Sequence, residues 1–249
     1  VTDAEIRRPA DAQPLVHSAP PPDGSPSHVA IIMDGNRRWA RGRNLDELDG
    51  HIAGTEALRT VLKHAVQIGI PHLTVYAFSR ENLARSDKEV AQLFTLLAKV
   101  IDDETPELLR QGVAVRFLGR LAELPAQAQE RITAACAKTA GGTKLQLSVA
   151  FNYGSRTEIV DAVRSIAASE IPPENIDERT IAGALYTAGT PDPDLVIRTG
   201  GEERLSNFLL WQSAYAEIVT TATLWPDFGA ADLDAAIATY TQRIRRFGR

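Results

Sequence analysis

Cysteine, methionine and aromatic residues are scarce: one Cys, one Met and 6% Phe, Trp and Tyr in 249 residues. A lone cysteine, Cys136, excludes a disulfide within the chain and any cysteine-based zinc cluster, and it suits a reducing compartment. Positive charge is not in excess either. The 27 Lys and Arg face 32 Asp and Glu, for a net charge of −5, so no global basic field gathers nucleic acid. Any bound anion must be held by arginines placed locally. No apolar run reaches the roughly 18 residues of a membrane span, and the first residues contain no apolar signal core. These absences leave a cytoplasmic globular protein as the expectation.

The composition that remains, 44% hydrophobic and 24% charged, suits one large domain or two small ones. Residues 1–27 are rich in Pro, Ala, Asp and Ser, ending in APPPDGSPS, and read as a disordered N-terminal tail. Neither an internal repeat nor a second break in composition follows, so residues 28–249 read as a single domain. Six short apolar runs are strand candidates: 29–33, 73–78, 113–119, 145–151, 194–198 and 217–225. Several are apolar on both faces, as a sheet covered on both sides requires. Helical patterns fit 51–68, 87–111, 123–139, 155–169 and 230–245 between and after them. The fold class expected is α/β, with a central, mainly parallel six-stranded sheet flanked by helices. Within 87–111, the stripe Val90, Leu93, Phe94, Leu97, Val100 and Ile101 serves either core packing or the wall of an apolar cavity.

In open α/β sheets, ligands sit beyond the carboxyl ends of the strands. There the sequence places Asp34, Gly35, Asn36, Arg37, Arg38 and Trp39 after the first strand, and SRENLAR (79–85) after the second. NYGSR (152–156) follows the fourth, and Arg198 leads into TGGEERLSNF after the fifth. Arginine forks match phosphate oxygens, and glycines let backbone N–H groups approach them. Neither the P-loop nor the dinucleotide glycine pattern is present. The residues alone indicate a protein for phosphorylated small molecules. Asp34, the acid among these bases, suits either a Mg²⁺ ion shared with phosphate oxygens or a helix cap.

The segments HVAIIMDGNRRWA, LTVYAFSRENLAR, FNYGSRTEIVDA, DPDLVIRTGGEERLSNFLLWQSAYAE, LWPDF and the terminal RRFG together resemble the cis-prenyltransferases, the undecaprenyl diphosphate synthase family. They run in order from His28 to Gly248. The resemblance implies an enzyme that condenses isopentenyl diphosphate with an allylic prenyl diphosphate, forming a Z double bond. It also implies a homodimer, an apolar tunnel for the growing chain, and Mg²⁺ at Asp34 with help from Glu217. By the same resemblance, Gly35, Asn36, Arg37, Arg38 and Trp39 hold the allylic diphosphate. Ser79, Arg80, Asn82, Leu83 and Arg85 lie beside the substrates. Arg198, Arg204 and Ser206 bind isopentenyl diphosphate, and Arg246 and Gly248 reach the neighbouring subunit. Asp34, Asn82 and His51 are the catalytic candidates, although a histidine near a helix start also serves structural hydrogen bonds. Val90, Leu93, Phe94 and Leu97 become candidates for the tunnel wall.

Three positions depart from the long-chain bacterial pattern. Leu83 replaces Trp, Ser155 replaces the second glycine of NYGGR, and Glu47 replaces an arginine. Arg37, where others have glycine, is expected to compensate for Glu47. A long-chain lipid-carrier precursor is the leading product and a short-chain Z-prenyl diphosphate the alternative. A non-catalytic partner subunit is the remaining reading. A polyprenyl product implies peripheral contact with a membrane surface for its release.

Overall fold

Runs that are apolar on both faces are satisfied only inside a covered sheet, and the strands at its centre are of this kind. The computed structural model describes residues 24–84 and 86–243. Its strands are β1 (His28–Ile32), β2 (His72–Ser79), β3 (Val113–Leu118), β4 (Leu145–Tyr153), β5 (Leu195–Arg198) and β6 (Glu217–Thr220). They lie in the order β3-β4-β2-β1-β5-β6, and every neighbouring pair is parallel. The helices are α1 (Asn36–Arg41), α2 (Glu47–Gln67), α3 (Asp87–Gln111), α4 (Ala126–Thr139), α5 (Ser155–Ala167), α6 (Glu178–Ala184) and α7 (Ala230–Gln242). Residues 1–23, most of the segment read as a tail, lie outside the described residues. Ser27, at that segment's end, is buried.

Local chemistry explains where elements begin and end. Ser86 Oγ accepts from Glu89 N at the start of α3, and Gly112, at φ 72°, closes its other end, as the sequence pattern expects. The helix α2 begins four residues before the apolar pattern suggests, because Asp46 and Asp49 form a reciprocal cap there. Similarly, α4 starts only after Pro125. The short helices α1 and α6 were not expected. The last strand stops at Thr220 rather than Trp225, where the chain turns so that the buried Trp225 donates Nε1–H to Gly54 O at 2.8 Å.

Strand alternation divides the core. Val29 and Ile31 pack with residues of α2, α3, α4 and α7, whereas Ala30 and Ile32 pack with Phe208 and Leu209 on the opposite face. Topology then fixes where a ligand can enter. From β1 the chain runs to β2 on one side, and from β5 it runs to β6 on the other. The carboxyl ends of β1 and β5 therefore flank the crevice at which such sheets bind ligands.

The opposite end of the sheet is closed by a polar cluster. Ser27 N, Ser27 Oγ and His28 N donate to Asp194 Oδ2 at 2.8, 2.6 and 3.1 Å. The buried His28 ring meets Pro191 O at 2.6 Å through Nδ1 and Thr74 Oγ1 at 2.7 Å through Nε2. A carbonyl can only accept, so Nδ1 carries the proton and Nε2 accepts from the threonine. Burial pushes the His28 pKa down from 6.5 to about 4. Between those values the unfolded chain binds the proton and the folded chain does not. Stability contributed by neutral His28 is therefore complete above pH 6.5 and falls as the pH drops toward 4, by about 3 kcal/mol for one group. The urea midpoint is expected to fall over that window in the parent, and less steeply in His28→Asn. Equal slopes would refute the assignment.

Candidate active site

Asp34 stands at the carboxyl end of β1, and register sets Ile32 beside Arg198 of β5. Its backbone is pinned first. Asp34 N donates to Thr199 Oγ1 at 2.9 Å, and Thr199 Oγ1 donates to Asp34 O at 2.7 Å. Gly35 then turns the chain into α1 at φ 119°, where a Cβ would lie 2.9 Å from the Leu224 side chain. The carboxylate is gripped by two guanidinium groups. Arg38 Nη2 donates to Oδ1 at 3.1 Å, and Arg198 Nη2 donates to Oδ2 at 2.8 Å.

Arg198 is the most buried cation of the site, its side chain 5% exposed. Nη1 donates to Ser206 Oγ at 2.7 Å and to Arg204 O, while Nε is buried without a partner among the described residues. Arg38 Nη1 donates to Gly200 O at 2.7 Å. Gly200 sits at φ 83°, and a Cβ there would stand 2.4 Å from Arg38 Nη2. Asp34, Arg38, Arg198, Ser206 and the backbone of Arg204 thus form one constellation.

Other expected site residues are placed differently. Arg37 donates to Glu47 through Nε at 2.6 Å and Nη2 at 3.0 Å, and Arg41 joins the same carboxylate. These two arginine bonds hold the Glu47 carboxyl below its usual range, and the bond to Glu47 raises Arg37. The arginine expected to compensate for Glu47 is therefore bonded to it. Trp39 points to Asp227, donating Nε1–H at 2.7 Å, with the Arg43 guanidinium 4.2 Å over its ring. The Arg204 side chain faces out to Glu202 at 2.5 Å, so only its carbonyl joins the Asp34 cluster.

Beyond β2, Ser79 and Asn82 close a small ring, with Ser79 N donating to Asn82 Oδ1 at 3.1 Å and Asn82 N to Ser79 Oγ at 3.3 Å. Arg80 is drawn to Glu123 at 2.6 Å, and Leu83 is exposed. Arg85, Arg246 and Gly248 lie outside the described residues. Glu217 is not beside Asp34 within its chain. Register pairs it with Leu195, three residues before Arg198 and so about 10 Å along the sheet. Its carboxylate accepts from Arg243 Nη1 at 2.8 Å. The expected joint metal role with Asp34 is therefore not formed by a single chain's fold.

The groups that hold the Ser206 loop give no sign of that role in the sequence. Ser206, Asn207 and Leu209 all have positive φ, and this backbone is fixed from α5. Asn207 O and Oδ1 accept from Ser155 N at 2.8 Å and Arg156 N at 2.9 Å, and Leu210 N donates to Ser155 Oγ at 3.0 Å. Ser155 thus has its own structural use. Behind it, buried Glu158 accepts from Tyr153, from Tyr186 N at 2.8 Å and from Gln212 Nε2 at 3.2 Å. Burial pushes the Glu158 pKa up. A glutamate one turn into an amphipathic helix gives no sign in sequence that it will be fully buried.

Below the rim opens a cavity between the sheet and helices α2 and α3, with about 1090 Å³ of empty space when the adjoining open solvent is included. Asn36, His51 and Met33 line it, together with Leu93, Leu97 and Val100 of the α3 stripe. Asn36 Oδ1, facing Gly54 of α2, is buried and finds no donor among the described residues. Phe94 packs instead on Phe78 and Phe151, so part of the stripe is core and part is cavity wall.

Among the described residues no three His, Cys, Asp or Glu side chains converge as a metal cage. A single carboxylate such as Asp34 fits a hard cation completed by phosphate oxygens and water, the usual situation of Mg²⁺. No helix among the described residues is long and apolar enough to cross a membrane.

Comparison with known proteins yields a consistent set of relatives. Residues 32–248 match the prenyltransferase family model described as "Putative undecaprenyl diphosphate synthase". An isoprenyl transferase of Heliobacterium mobile is 50% identical over 243 residues, covering 96% of this chain and 93% of its own. An isoprenyl transferase of Brucella abortus is 50% identical over 227 residues, covering 90% and 89%. Among solved structures, lavandulyl diphosphate synthase from Lavandula x intermedia, in complex with dimethylallyl diphosphate, superposes with a TM-score of 0.89 at 38% identity. It covers 91% of this chain and 100% of that one. A probable undecaprenyl diphosphate synthase from Campylobacter jejuni gives a TM-score of 0.77 at 30% identity, covering 90% and 99%.

Proposed function

The chain belongs to the undecaprenyl diphosphate synthase family of prenyltransferases, and on that premise we propose that it joins isopentenyl diphosphate to an allylic prenyl diphosphate, making a long-chain Z-polyprenyl diphosphate. The observation that carries this reading is Arg198. It is a nearly buried guanidinium with an unpaired Nε, set between Asp34 and Ser206 at the rim of an apolar cavity. A buried cation with an open donor suits an anionic headgroup, and the cavity suits a hydrocarbon.

In this reading Arg198 and Ser206 hold the isopentenyl diphosphate headgroup, and Arg204 adds a surface charge. Arg37 and Arg38, in the first turn of α1, take the allylic diphosphate, with Glu47 orienting Arg37. Asp34 would hold Mg²⁺. That ion supplies neutralisation of the charge that builds on the departing diphosphate. The chain's own part is to fix two anions side by side, so that the alkene lies against the allylic carbon. Arg38 and Arg198 meet the developing charge with donors already in place. The proton lost as the new double bond forms goes to a diphosphate oxygen or to a side chain near Asn82 and His51. His51 lines the cavity mouth.

A homodimer is part of the proposal. Leu210, Tyr215 and Ile218 are exposed near the edge strand β6, and Val160 and Val163 are exposed on α5. The metal role proposed for Glu217 then falls at the partner subunit's site. The proposal places the enzyme in the cytoplasm, with its apolar product released at a membrane surface.

The test is an assay with labelled isopentenyl diphosphate, Mg²⁺ and dimethylallyl, geranyl or farnesyl diphosphate in turn, read by chromatography. Products many isoprene units long are expected. One short product from every primer would establish the short-chain alternative, and no product from any primer would overturn the catalytic reading.

A further inference from the structure

The cavity wall is mostly hydrocarbon, with Asn36, His51, Thr55 and Thr105 as its neutral polar members, and it carries charged side chains at one place. Arg59 of α2 and Glu104 of α3 are the only Lys, Arg, Asp or Glu side chains among the described residues that line it. Arg59 Nε donates to Glu104 Oε2 at 3.2 Å and Nη2 to Oε1, so both carboxylate oxygens are taken by one fork. Arg59 Nη1 donates outward to Glu56. Glu104 is the inner partner, its side chain 17% exposed against 43% for Arg59. The pair thus crosses the seam between the two helices from cavity to surface.

Its depth matters. Arg59 lies eight residues after His51, about 12 Å down α2 from the cavity mouth. Below it, Leu62, Leu108, Val115 and Leu147 close the floor. Two residues beyond Glu104, Pro106 has no N–H to give Asp102 O, so α3 is least held by its own ladder here. The tie to α2 falls at that point.

Resting on the prenyl-transfer reading above, we propose that the Arg59–Glu104 ion pair sets product length by closing the seam between α2 and α3. A growing hydrocarbon offers no hydrogen bond. To pass, it would have to part the fork and leave a carboxylate facing an apolar wall. The chain therefore stays within the space above the floor, and elongation ends when that space is filled.

The test is Glu104→Ala, which leaves Arg59 paired with Glu56 and strands no charge. The purified variant is assayed beside the parent with the same primer. The main product is expected to lengthen by at least one isoprene unit. Should alanine cost the fold, Glu104→Ser opens the same seam with a polar side chain and carries the same expectation. Arg59→Met with Glu104→Leu refills the seam without charge and is expected to return the parent's length. An unchanged product from folded Glu104→Ala or Glu104→Ser would overturn the proposal, as would equal lengthening in the refilled variant. If the parent itself transfers no prenyl group, the functional reading fails first and is distinguishable on that ground.

Discussion

Asp34→Asn is expected to lower kcat on the order of 10³-fold while barely moving the unfolding midpoint. The two effects separate because the carboxylate's charge serves the reaction more than the fold. An amide keeps the shape and one accepting oxygen, so a guanidinium can still bond to it. Its backbone stays pinned by Thr199 at 2.9 and 2.7 Å. Of the two cations it faces, Arg38 is 46% exposed and its pair with Asp34 is largely screened. Arg198 keeps Ser206 and the Arg204 carbonyl. The stability loss should therefore be about 1 kcal/mol or less. A neutral amide, however, is a poor ligand for Mg²⁺, so on the proposed metal role of Asp34 the charge on the departing diphosphate would go without its metal. Thermal unfolding and single-turnover rates measured on one preparation decide the matter. Near-normal turnover would remove Asp34 from the metal, and a collapse of stability matching the loss of rate would make it structural.

Much of the fold can be read from local pattern because the central strands are covered on both sides and so show apolar runs. β1 and β5 are the clearest, buried at every position. Where pattern misled, a long-range partner decided. The final strand was read through to Trp225, yet that indole belongs under α2 on Gly54 O. The site shows the same division. Asp34 and Arg198 could be paired from sequence because both end strands, and parallel register places them side by side. Arg204 could not be placed, because a surface loop lets Glu202 two residues away capture it at 2.5 Å. Thr199, Glu158 and the Arg59–Glu104 tie carry no local signature, since each acts on a residue distant in the chain. Arg37 and Glu47 are in direct contact, which sequence spacing alone does not reveal.

For Arg198→Ala the expectation is at least a 10²-fold rise in KM for isopentenyl diphosphate, a smaller change for the allylic substrate, and a measurable loss of stability. The contrast with Asp34 follows from burial. The Arg198 side chain is 5% exposed, and its removal leaves a void and unpairs Ser206 Oγ, Arg204 O and one Asp34 oxygen together. Breaking such a set costs roughly 3 kcal/mol. Arg198→Lys separates the two effects. Its ammonium restores the charge but cannot reach Ser206, Arg204 O and Asp34 from one rigid plane, nor present an Nε donor as well. Stability should largely return in the lysine variant while the KM stays raised. If lysine restored both, a point charge would be sufficient and the unpaired Nε would have no part in binding. If alanine raised both KM values alike, the distinction between the two diphosphate sites would fall, and with it the assignment of Arg198 to the isopentenyl headgroup.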